Sequence, residues 1–129
     1  MSNYTKTDME EARLAIASMI CRTEEAKAKF AQGTSQNTLL SNRLKALGIA
    51  SACVGKELEE SNDIDFYGKE DFERALAPIT SLISKSEKAL SKVAQGTWQH
   101  TMLSSNLKAL YIASPLLTKA LSEISAEKN

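Results

Sequence analysis

The residues able to do chemistry are few and widely separated. His100 is the only histidine, and the two cysteines, Cys21 and Cys53, stand 32 positions apart. A cysteine beside a histidine would supply a thiolate nucleophile and its base. Either cysteine reaches His100 only if the fold brings them together. Both cysteines sit at or beside apolar positions, whereas His100 falls in the first turn after a break, so the pattern favours buried free thiols over a catalytic dyad. Buried thiols are also preferred to a disulfide in a reducing compartment. A di-metal site in a helical bundle needs Glu-x-x-His pairs on two helices, and a single histidine cannot provide them. Cys-x-x-Cys pairs, glycine-rich phosphate loops and calcium loops do not occur. The residues thus favour a non-enzymatic role with no catalytic residues, metal or cofactor.

The remaining candidates are surfaces. Trp98, Gln99, His100 and Thr101 follow a glycine turn, where partial exposure is expected, and an exposed Trp is a natural binding anchor. Tyr111 lies further along the same segment, and Phe66 and Tyr67 fall in a connector, as a contact patch or a lid over helix ends. A polar set, Gln36, Thr38, Ser41 and Lys45, recurs as Gln99, Thr101, Ser104 and Lys108. Thr34, Thr38, Ser41 and Lys45 share one side of a helix, apart from its leucine seam. The set reads either as a recognition surface present twice or as capping and interhelical packing kept since a duplication; the second reading is preferred. Thr23, Ser51, Ser86 and Ser114 are small residues on the seams and would line a small-molecule pocket between hairpins.

The elements that position these residues follow from an internal repeat. Shifting the chain by 63 positions aligns 10–60 with 73–123 without a gap, and 26 of 51 positions are identical. That level exceeds chance, so the chain reads as two copies of one unit, 9–62 and 72–125, joined by the connector 63–71 within a single domain, 1–129. In the first unit Met9, Ala12, Ile16, Met19, Thr23, Ala26 and Phe30 alternate spacings of three and four, as do Leu40, Leu44, Leu47, Ser51, Val54 and Leu58. This is the apolar seam of helices packed side by side. Thr7 with Glu10 reads as a capping box opening the first helix. Gly33 and Gly96 suit the left-handed position that ends a helix, with Thr34 or Ser35, and Thr97, capping the next. Pro78 and Pro115 fall inside the helices of the second copy and predict kinks. The expected fold is all-α, an antiparallel four-helix bundle of two tandem helical hairpins.

Charge narrows the partners. Sixteen basic residues balance sixteen acidic ones, so no single-sign field gathers nucleic acid or an anionic membrane. The connector carries Lys69 against Asp63, Asp65, Glu70 and Asp71 and reads as a solvated acidic link. No run of 18 apolar residues and no basic-then-apolar leader occur, which reads as a soluble, cytoplasmic chain without a membrane role. The leading expectation is a helical interaction or regulatory protein that binds an unknown protein or forms a homo-oligomer. The alternative is a bundle with a small ligand in a pocket between its hairpins.

Overall fold

The computed structural model describes residues 4–127. Four α-helices follow one another: α1 Lys6–Lys27, α2 Ser35–Glu57, α3 Lys69–Lys92 and α4 Trp98–Glu127. A single turn of 3-10 helix, Asp63–Phe66, lies in the connector, and no strand occurs among the described residues. The arrangement is that of a four-helix bundle. Each of α1 and α3 packs against α2 and α4, and α2 also packs against α4 across the diagonal, whereas α1 and α3 do not touch. Helices α2 and α4 are therefore the inner pair.

Burial follows the seams. Met9, Ala12, Ile16, Met19 and Thr23 of α1 are buried, as are Leu40, Leu47 and Val54 of α2, and Phe72, Ala75 and Ile79 of α3. The inner pair hides a broader face, with Ala46, Ile49, Ala50 and Cys53 on α2 and Ala109, Ile112 and Ala113 on α4. Small residues permit this, because a helix touching three neighbours needs room for close approach. Phe72, Ile16, Leu47, Ile49, Ile79, Leu110 and Leu117 are almost completely enclosed, each contributing roughly 1.5–3 kcal/mol relative to exposure. Phe30, placed on the α1 seam by its spacing, is instead exposed, because α1 ends at Lys27 with Ala28 as its cap.

Both turns follow the chemistry of their residues. Gly33 and Gly96 hold φ of +89° and +87°, a region that side chains with a Cβ enter only at a cost. Thr34 Oγ1 then accepts from the Asn37 amide, and Thr97 Oγ1 from the His100 amide, each at 3.2 Å. The start of α1 differs from expectation. Thr5, not Thr7, is the cap: Thr5 Oγ1 accepts from the Asp8 amide and Asp8 Oδ2 accepts from the Thr5 amide, both at 3.0 Å. The short Asp side chain reaches back one turn, so the helix begins before Thr7.

Pro78 and Pro115 sit within α3 and α4, which run on through them. Each removes one helical donor, from the carbonyls of Arg74 and Tyr111 respectively. The connector is anchored as well as solvated: Ile64 is buried, and the Tyr67 ring meets Phe72 edge-on at 6.4 Å.

Replacing Gly33 or Gly96 by Ala places a Cβ at positive φ and is expected to destabilise the fold by about 1–2 kcal/mol each. A Cβ at either position meets nothing within 4 Å, so the cost is local to each turn and the double variant should lose about the sum. Urea unfolding followed by circular dichroism measures this; unchanged midpoints would refute the turn assignment.

Candidate functional site

Two long grooves run along the seams between the hairpins. One lies between α2 and α3, encloses about 470 Å³ and is lined by Leu39, Asn42, Arg43, Lys45, Ala46, Ile49, Asp71, Arg74, Ala75, Ala77, Pro78 and Ser81. The other lies between α4 and α1 and encloses about 370 Å³. Adding or subtracting 63 carries every residue of the first groove onto a residue of the second, which has Arg22 in addition. Both volumes lie in the range of small-molecule sites.

Each groove is bounded by the same ion pair. Lys45 Nζ stands 2.8 Å from Asp71 Oδ1, and Lys108 Nζ stands 2.9 Å from Asp8 Oδ1. The other oxygen of each carboxylate accepts a backbone amide, that of Gly68 for Asp71 and that of Thr5 for Asp8. One side chain thus closes the N-terminus of α1 or α3 and ties that helix to the opposite hairpin. Both carboxyls are held below the ordinary value of 3.8, first by the lysine hydrogen bond and then by the backbone amide. Lys108 is raised correspondingly, chiefly by its bond to Asp8.

The grooves differ in charge. Arg43, Lys45 and Arg74 against Asp71 leave the α2–α3 groove at net plus two. Asn106 and Glu11 occupy the positions of Arg43 and Arg74 in the second groove, where Asp8 and Glu11 balance Arg22 and Lys108. Arg22 also spans that groove, donating to Ser18 Oγ on its own helix and to Met102 Sδ on α4. Arg43 was absent from the candidates drawn from the sequence. Its signal was the change from arginine to asparagine 63 positions on, in a stretch where most residues match.

The other candidates are dispersed. Lys45 and Lys108 belong to the grooves as structural ties, while Gln36 and Thr38 are exposed and Ser41 and Ser104 half-buried. Trp98 opens α4 and is 70% exposed. Gln99 and Thr101 are exposed beside it, His100 is half-buried, and Thr101 Oγ1 donates to the Thr97 carbonyl. Tyr111 is exposed and donates its hydroxyl to Glu87, the main reason its ionisation is raised. Thr23 is buried with its hydroxyl donating to the Met19 carbonyl at 2.7 Å. Ser51, Ser86 and Ser114 are half-buried. None of these four lines either groove.

The cysteines part company. Cys53 is buried and burial pushes its thiol up to about 11, which keeps it protonated and unreactive at neutral pH. Cys21, read from the sequence as buried, is exposed: the three-and-four spacing of α1 puts Met19 and Thr23 inward and turns the residue between them outward.

Two outcomes follow. Folded protein should react with one equivalent of a thiol reagent quickly, at Cys21, and with a second only on unfolding; two fast equivalents would contradict the burial of Cys53. The lowered Asp8 and Asp71 ionisations add stability that is complete above about 3.8 and is lost as the pH falls through the folded values. The urea midpoint of the native chain should therefore drop more steeply below pH 4 than that of an Asp8→Asn, Asp71→Asn variant, and parallel curves would show that the ties contribute nothing. Comparison with protein-family models, with curated proteins and with solved structures finds no match to this chain.

Proposed function

We propose that the chain is a non-enzymatic helical interaction protein of the cytoplasm, built from two copies of one hairpin, that engages another protein through Trp98. The supporting observation is the exposure of a tryptophan at the first position of α4. Removing most of an indole surface from water is among the largest single gains open to an interface. Gln99 and Thr101 beside it supply polar rim groups. The matched grooves and matched Lys–Asp ties support the duplicated origin. No helix among the described residues is long and apolar enough to cross a membrane.

A second reading is favoured by a separate observation, the pair of grooves with apolar floors and charged rims: a bundle that binds a small molecule between its hairpins.

Trp98 is the only tryptophan, so its emission reports directly on the proposed contact. In dilute solution the emission should be that of an indole in water, and it should shift to the blue as the chain self-associates or as a partner is added. Light scattering on the native chain and on Trp98→Ala supplies the mass. Unshifted emission with an unchanged monomeric mass and no partner lost from Trp98→Ala would defeat the Trp98 interface.

A further inference from the structure

We propose that the α2–α3 groove, and not its α4–α1 counterpart, is a binding site for a small aliphatic monocarboxylate held by Arg43; this rests on the small-molecule reading above. Three cations line the groove, but two are already neutralised: Lys45 by Asp71 at 2.8 Å, and Arg74 by Glu70 one turn before it on α3. Arg43 is half-buried and makes no hydrogen bond or ion pair with any described residue.

A guanidinium is a planar fork of donors that matches a carboxylate with two parallel hydrogen bonds. One uncompensated fork selects a head group of a single negative charge. The body of the ligand is set by the walls. Leu39, Ala46, Ile49, Ala75 and Pro78 are aliphatic, and no aromatic side chain lines the groove. Leu39 is half exposed at 50%, an apolar cost that an aliphatic chain lying along the groove would relieve.

The second groove serves as an internal control. It keeps the floor, with Ala46, Ile49 and Ala75 replaced by Ala109, Ile112 and Ala12. It has no fork at the matching position, since Asn106 stands where Arg43 does, and Glu11 in place of Arg74 repels an anion; its own guanidinium, Arg22, is engaged by Ser18 and Met102. Arg22 spans the remaining space through its bond to Met102.

The test is titration calorimetry with decanoate below its micelle concentration, with decan-1-ol as the neutral probe, alongside amide chemical shifts. The native chain should take up one decanoate, with shifts centred on 39–49 and 71–81, and bind decan-1-ol about tenfold more weakly or worse. Arg43→Asn installs the residue that the second groove already tolerates, and should weaken decanoate about tenfold or more while its circular dichroism stays native. Arg43→Lys, which keeps the charge but loses the fork, should fall between. Two decanoates per chain, or equal binding by Arg43→Asn, would overturn the proposal. If decan-1-ol binds the groove as well as decanoate does, the carboxylate assignment fails and the ligand-binding reading survives. If neither probe binds, both fail.

Discussion

The inner faces of α2 and α4 cannot be covered by the hairpins to which they belong. Helix α2 buries Ala46, Leu47, Ile49, Ala50, Ala52, Cys53, Val54 and Gly55, a face too broad for α1 alone. Helix α4 completes it from across the diagonal, and α3 closes its side. The same holds for α4, whose Ala109, Leu110, Ile112, Ala113 and Leu117 are hidden by α1, α2 and α3. The apolar face of each inner helix is completed by helices of the other hairpin, so association of the hairpins stabilises both. The grooves are a consequence of the same geometry: where the outer helices pack on the inner pair at the edges of the shared core, the side chains leave open seams.

Register along those seams depends on two carboxylates. Asp8 and Asp71 each have one oxygen on a backbone amide at a helix start and the other on a lysine of the opposite hairpin. A slip of one residue would break both bonds at once, although exposed ion pairs add little stability individually. Their role is better described as fixing which turn of α2 meets which turn of α3. With that register set, Arg43 and Pro78 line one groove, Asn106 and Ala15 the other.

Much of the fold was legible in the residues. The three-and-four spacing identified the inward positions of α1 from Met9 to Thr23 and Leu40, Leu47 and Val54 of α2, because helical geometry maps spacing to a face directly, whereas Leu44, Ser51 and Leu58 on the same seam are half-buried. Gly33 and Gly96 were legible because few residues other than glycine accept positive φ. Cys21 was misread since an apolar neighbourhood in sequence is not a face: it flanks buried Met19 and Thr23 and points outward. Phe30 kept the spacing but lay beyond the helix that gives spacing its meaning. The Thr5–Asp8 cap was missed because Thr7 with Glu10 offers the same signature two residues on. Pro78 and Pro115 end neither helix: α3 and α4 continue through them, each one backbone donor short.

The site was less legible, for a physical reason. A groove between hairpins is a property of how two helix pairs are placed, and no periodicity within one helix reports it. Lys45 and Lys108 were singled out by recurrence, but their acidic partners lie on other helices. Arg43 stood out only as a mismatch between matched segments, and its unpaired state became visible when the neighbours of α2 were in place. The differences between the segments matched by the 63-residue shift, Arg43 against Asn106 and Arg74 against Glu11, are what distinguish the two grooves in charge.

The hairpins depend on each other for a core. Circular dichroism with light scattering on residues 1–62 alone tests it most directly. No folded monomer should form, because the inner face of α2 has lost both α3 and α4 and so short a chain buries too little surface by itself. A monomeric hairpin with native-like helix content and cooperative melting would contradict it.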